Sequence, residues 1–242
     1  MPLIVGYRRP TTIDEALELL EQEGSRALAG GTRLVGEAGS EPAVVVDLQS
    51  LQLGGIELAA AGALRLGAMV TLQQLVDDDR VPTAVREAAR RTDPSTFRNA
   101  ATVGGCVAAA EQSSELLATL LVHDAIVELA GRERVQSMPL AALLSDLSQL
   151  TGRIVSAVTI ETTGFTAAAR VGRTGADRPI VAAVARRAPD GSRRLALTGV
   201  AATPVLAPNL DELSPPGDFL GSSAYRKAVA ATLAARALEV LG

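Results

Sequence analysis

The sequence predicts an α+β fold. Helical apolar stripes and β-prone runs are mixed along the chain without a regular βα alternation. Several of the strands come as hairpins around tight turns. No internal repeat and no heptad run is present, which excludes a solenoid or a coiled coil.

The elements follow in order. Thr11-Thr12 caps a helix over residues 13–22, with Asp14 and Glu15 in its first turn, where negative charge is favourable. Ile13, Ala16, Leu17 and Leu20 make one apolar stripe, and Gly24 ends the helix. Residues 26–29 form a short strand broken by Gly30-Gly31-Thr32, and residues 43–48 form a second, giving a β-α-β-like start. Residues 56–58 and 64–68 pair around an Ala-Gly turn. Thr71 opens a helix (TLQQLV), and a further helix over 81–91 is entered at Pro82. Ser113 or Ser114 caps a helix over 115–121, and residues 125–130 and 134–135 form a hairpin across Gly131. A helical turn over 140–144 precedes the strongly β-prone run 153–161. Residues 180–187 and 195–200 are antiparallel strands joined through Pro189-Asp190-Gly191, since Asp-Gly is a strong turn signal. The stretch 203–218 is Pro- and Asp-rich and irregular, and residues 223–241 form a long helix buried on its Ala and Leu face.

Composition narrows the function classes. The 242 residues are 48% hydrophobic and 21% charged, as in a soluble globular protein. Aromatics make up only 2%, so the core must be built from Ala, Val and Leu. A single cysteine, Cys106, excludes an internal disulfide, and alone it holds neither an iron–sulfur cluster nor a Cys-rich zinc site. A single histidine, His123, excludes a His-rich metal site. The net charge of −4 does not steer the chain toward nucleic acid. The opening MPLIVGYRRP lacks the pattern of a secretory signal, and no apolar run is long enough for a transmembrane segment, so a cytoplasmic setting is expected.

Two glycine-containing turns carry the candidate chemistry: Leu28-Ala29-Gly30-Gly31-Thr32-Arg33-Leu34 and Ala101-Thr102-Val103-Gly104-Gly105-Cys106. Adjacent glycines bring backbone N–H groups close to an anion, and each pair has a hydroxyl neighbour. Two such nests facing one another could wrap a diphosphate. Neither matches the Walker or the Rossmann spacing. Arg33 reads equally as a diphosphate contact or a solvated loop charge. Cys106 reads as a small buried hydrophobe, His123 as a polar cap, and the Arg170–Arg178 stretch as a salt-bridged surface.

Taken together, Tyr7 with RRP and EALELL, then LAGGTRL, LGAMVTLQQL, FRNAATVGGCVAAAEQSSELLATLLVHDA and SSAYRKAVAATLAARAL resemble the FAD-binding subunit or domain of the molybdenum hydroxylases. That group includes xanthine dehydrogenase and aerobic carbon monoxide dehydrogenase. The resemblance implies a two-subdomain FAD-binding fold of the molybdopterin dehydrogenase type, residues 1–53 and 54–163, plus an abbreviated C-terminal α+β subdomain, 164–242. It implies that the FAD diphosphate lies between Ala29, Gly30, Gly31, Thr32, Arg33 and Leu34 on one side and Thr102, Gly104 and Gly105 on the other. It places Ser114 and Glu115 near the ribitol or ribose, Gly67 and Ala68 beside the ligand, and Ile154 and Val155 as apolar cover. It puts Arg170 at the flavin's edge, where a cation stabilises reduced, anionic flavin. It further implies a large partner subunit carrying molybdopterin, a small one carrying 2Fe-2S clusters, and electron transfer through FAD to an external acceptor, with no catalytic acid, base or nucleophile and no metal on this chain. Cys106, Ala109 and Glu115 depart from the family pattern, which motivates the alternative of a flavin-free assembly or structural subunit.

Overall fold

The computed structural model describes residues 3–34, 41–175, 177–206 and 209–242. Three sheets organise it. The first is parallel, in the order β1-β3-β2, from β1 (Leu3–Arg8), β2 (Ser25–Leu28) and β3 (Pro42–Asp47). Helix α1 (Ile13–Leu20) lies against it, two residues shorter than expected, and the chain turns at Gly24 with a φ of +76°. The Thr12 hydroxyl accepts the Glu15 N–H at 3.2 Å, so the cap is real. Ala16 and Leu17 bury against Val46 and Leu48. Strand β1 is absent from the sequence reading. Leu3, Ile4 and Val5 are 59%, 47% and 60% exposed, so no face of β1 shows the alternation that marks a half-buried strand. The Tyr7 hydroxyl donates to the buried carboxylate of Asp47 and ties β1 down.

The second sheet is antiparallel, in the order β4-β5-β8-β6-β7, from β4 (Ile56–Leu58), β5 (Leu64–Gly67), β6 (Ile126–Ala130), β7 (Val135–Pro139) and β8 (Ile154–Ile160). Its helices are α2 (Leu72–Asp77), α3 (Thr83–Thr92), α4 (Ser95–Arg98), α5 (Val103–Ala109), α6 (Glu115–Val122) and α7 (Leu140–Ser145). Thr71 and Gln74 form a reciprocal capping box at α2, and Ser114 caps α6 by accepting the Leu117 N–H. All eight residues of α6 are buried, because it is covered by α3 on one side and by the third sheet on the other.

That third sheet is antiparallel, in the order β12-β11-β10-β9, from β9 (Phe165–Val171), β10 (Val181–Arg187), β11 (Arg193–Thr198) and β12 (Val205–Leu206). β9 and β12 were not foreseen; β12 lies inside the stretch expected to be irregular, whose residues 207–208 fall outside the described ones. Helix α8 (Ser223–Leu241) covers the sheet with Ala230, Leu233, Ala234 and Ala237. Its buried Arg226 donates to the carbonyls of Ile180 at 2.8 Å and Gly199 at 3.1 Å, and pairs with Asp218 at 2.7 Å. No helix among the described residues is long and apolar enough to cross a membrane.

His123 ends α6 and joins the second and third sheets. Its Nδ1–H donates to the Glu161 carbonyl at 2.6 Å, which leaves Nε2 to accept from the Thr166 hydroxyl at 3.2 Å. Burial pushes its pKa down to about 4. The unfolded chain takes up this proton near its ordinary value of 6.5, so the stability from neutral His123 is complete above that pH and is lost as pH falls toward 4. Urea unfolding across that window should show a loss of roughly 3 kcal/mol from this group. His123→Gln should flatten the dependence above about pH 5.

Candidate functional site

Three close backbone approaches build the site. A Cβ on Gly30 would lie 1.7 Å from the Ala100 carbonyl oxygen, so the first glycine loop rests directly on the chain between α4 and α5. A Cβ on Gly67 would lie 2.4 Å from the Leu53 carbonyl oxygen, and one on Gly104 would lie 2.7 Å from the Ala68 side chain. Glycine is required at each because backbone meets backbone or a rigid methyl. A cavity of about 340 Å³ opens where these segments meet, within the range of small-molecule sites.

Of the residues expected from sequence, Ala29, Gly30, Gly31, Thr32, Arg33 and Leu34 line one side of this cavity. Ala68, Thr102, Gly104 and Gly105 line another, and Ile154 and Val155 supply apolar cover. The other four lie outside the lining. Gly67 supports residues 53–55 from behind, donating its N–H to the Gly55 carbonyl at 2.9 Å. Ser114 is spent as the α6 cap. Glu115, 4% exposed, pairs with Arg91 at 2.7 Å and with Arg170 at 3.4 Å. Arg170 also donates to the carbonyls of Gly175 and Asp177.

The two glycine pairs are not equivalent. Gly104-Gly105 was read as a turn but forms the first turn of α5, and its donors are committed. The N–H groups of Val103 and Gly104 reach the carbonyls of Val70 and Ala68 at 2.9 and 2.8 Å, and that of Gly105 reaches the Thr102 hydroxyl at 3.1 Å. The facing-nest picture therefore reduces to one nest and one smooth wall. In the first loop, no hydrogen bond engages the N–H groups of Gly30, Gly31 or Thr32 among the described residues. These donors, with the Thr32 hydroxyl, are what the site offers to an anion.

Arg33 is neither a free contact nor a solvated charge. It pairs with Glu111 at 2.6 Å and lies 4.0 Å from Asp93, and Arg178 binds the same two carboxylates. The remaining walls are aliphatic, with Leu20, Leu48, Leu53 and Met69 among them and no aromatic residue among the described ones. The sequence reading missed Arg26 and Arg153, which also line the cavity. Neither sits in a motif, so only the folded chain brings them together. Cys106 lines the wall half-buried, and desolvation pushes its thiol up to about 12.

The residues present fit FAD: free main-chain donors for a diphosphate, a surplus of arginine, and aliphatic cover for a ring. The comparisons agree. The family model described as the FAD binding domain in molybdopterin dehydrogenase matches residues 3–161. The chain belongs to this FAD-binding domain family of the molybdopterin dehydrogenases, the flavoprotein part of a molybdenum hydroxylase-type oxidoreductase.

Among curated proteins, YgfM of Escherichia coli (strain K12) is 29% identical, covering 96% of this chain and 95% of its own. The xanthine dehydrogenase FAD-binding subunit of Escherichia coli O157:H7 is 30% identical, over 56% of this chain and 49% of its own. The fold matches carbon monoxide dehydrogenase from Hydrogenophaga pseudoflava at a TM-score of 0.89 and 20% identity, over 100% of this chain and 98% of that one. It matches quinoline 2-oxidoreductase from Pseudomonas putida 86 at 0.85 and 23%, over 98% and 96%.

Gly30→Ala should destabilise the protein by roughly 3 kcal/mol in thermal unfolding, because no side chain can give way. Gly54→Ala is its control, having nothing within 4 Å of the added methyl, and should be near neutral. Cys106 should resist thiol reagents at about pH 8 and react once the chain is unfolded in urea.

Proposed function

We propose that this chain is the electron-transfer subunit of a molybdenum hydroxylase complex, working with a large molybdopterin-binding subunit and a small 2Fe-2S subunit. When bound, FAD supplies the redox chemistry, taking up electrons from the clusters and passing them to an external acceptor. The observation that carries this reading is a cavity lined by aliphatic side chains and by Gly30, Gly31 and Thr32, whose N–H groups have no partner among the described residues.

The protein's own part is binding, orientation and exclusion of water. Gly30, Gly31 and Thr32 donate to the diphosphate. Ala68, Thr102, Gly104 and Gly105 form the wall behind it, and Ile154 and Val155 keep water from the ligand. Arg33 holds the loop through Glu111 and Asp93. Glu115 and Arg170 stabilise the surrounding frame through their mutual pairing rather than by touching the ligand. No group here need act as acid, base or nucleophile. Membership of a heteromeric complex is supported by β1, whose exposed Leu3, Ile4, Val5 and Tyr7 form the kind of apolar surface a partner covers. A cytoplasmic setting accords with the absence of any disulfide framework.

The purified chain should be yellow, absorb at roughly 350–500 nm, and release flavin on heating. A colourless protein that takes up no added FAD would sink this reading in favour of the flavin-free assembly subunit, which Cys106 and Ala109 motivate by lining the wall without strong hydrogen-bonding groups. Co-purification with molybdopterin- and cluster-bearing chains checks the complex.

A further inference from the structure

The cavity's positive charge is unevenly committed. Arg33 and Arg178 face Asp93 and Glu111 in a group of two cations and two anions, so that corner is neutral. Arg153 donates to the main-chain and side-chain oxygens of Gln149, at 2.9 and 3.1 Å, and meets no carboxylate among the described residues. The Arg26 side chain makes no hydrogen bond or ion pair among the described residues, its backbone being paired in the sheet. Both line the same cavity, in which Asp93, the lone carboxylate among the described lining residues, is already taken up by Arg33 and Arg178. Arg26 stands on β2, three residues before Ala29, and Arg153 immediately precedes β8. The uncompensated charge therefore enters from the two strands that flank the ligand space, and not from the glycine loop itself.

We propose that Arg26 and Arg153 are the anion-retaining side chains of this cavity, binding the diphosphate-bearing part of a dinucleotide, whereas Arg33 is a positioning residue that holds the first loop. The inference rests on the cavity being a dinucleotide site. A free guanidinium can spend its donors on phosphate oxygens at once. One already paired to two carboxylates must first give them up. Main-chain donors fix the orientation of the anion, and the two arginines with no carboxylate partner among the described residues supply the long-range attraction that salt weakens.

The test uses the full chain with two probes, FAD and ADP, titrated by calorimetry at low and moderate salt. Arg26→Gln and Arg153→Gln should each weaken both probes by roughly tenfold and reduce the salt dependence. Arg26→Lys and Arg153→Lys should recover most of the loss, which a merely structural role would not explain. Arg33→Gln should lower the melting temperature, change affinity by no more than about threefold, and leave the salt dependence intact. The proposal is overturned if both Gln variants bind like the parent, or if Arg33→Gln alone abolishes the salt dependence. If the parent binds ADP but not FAD, the flavin reading fails while the ADP arm still decides this one. If it binds neither probe, both are wrong.

Discussion

Everything in the site follows from the contact between Gly30 and Ala100. Residues 68–72 and 101–104 are zipped together by backbone hydrogen bonds, with Thr71 and Thr102 bridged and the Leu72 N–H reaching the Ala101 carbonyl at 2.9 Å. The first glycine loop is laid across this zipper, and only a residue without Cβ can lie so close. The zipper takes the Gly104 donor, and the Thr102 cap takes that of Gly105. In the loop on top, the N–H groups of Gly30, Gly31 and Thr32 meet no hydrogen-bond partner among the described residues. The asymmetry between two similar-looking motifs is thus a consequence of which one lies underneath.

Arginine does the work of joining the parts. Every basic residue but Lys227 is an arginine. Its fork of donors can satisfy several carbonyls at once, which an ammonium does less well. Arg226 does so beneath α8, and Arg186 does so where α6 meets β10, reaching the carbonyls of Val122 and Thr163. Glu115 shows the converse. A carboxylate that is 4% exposed is costly without a partner, and Arg91 and Arg170 make it tolerable. The Arg33 and Arg178 pairs are about one-third exposed, so each adds little stability; their value is in fixing where the first loop sits against the rest of the chain.

Much of this was legible in the sequence, and the remainder was hidden for physical reasons. Thr12, Thr71 and Ser114 announced their helices because capping is local chemistry that needs no tertiary partner. The β6–β7 and β10–β11 hairpins were visible because turn residues and β-prone runs coincide. β1 stayed hidden because its apolar residues are exposed on both faces, and β9 because FTAAARV is too rich in alanine to read as a strand. α5 was masked by glycines at its start, which read locally as a turn but serve tertiary contact. The glycine loops stood out by their motifs, whereas Ile154 and Val155 came only from the family resemblance. Arg26 and Arg153 had no local signal, since what distinguishes them is that neither pairs with a carboxylate among the described residues, a property of the folded surface alone.

The shortage of aromatic residues bears on how such a cavity can hold a large ligand. With no aromatic side chain among the described residues of its lining, ring stacking contributes nothing, and affinity must come from main-chain donors, arginine charge and aliphatic burial. Those three sources depend weakly on which side chains stand at Cys106 and Ala109. A half-buried thiol pushed up to about 12 stays protonated and behaves as a small apolar surface, as alanine does. The departures from the family pattern at these positions therefore fall on the smooth wall, where the donors are already consumed by the zipper. They leave untouched the loop whose donors have no partner among the described residues, so the part of the site that an anion would read is the LAGGTRL segment, which resembles the family's first flavin loop.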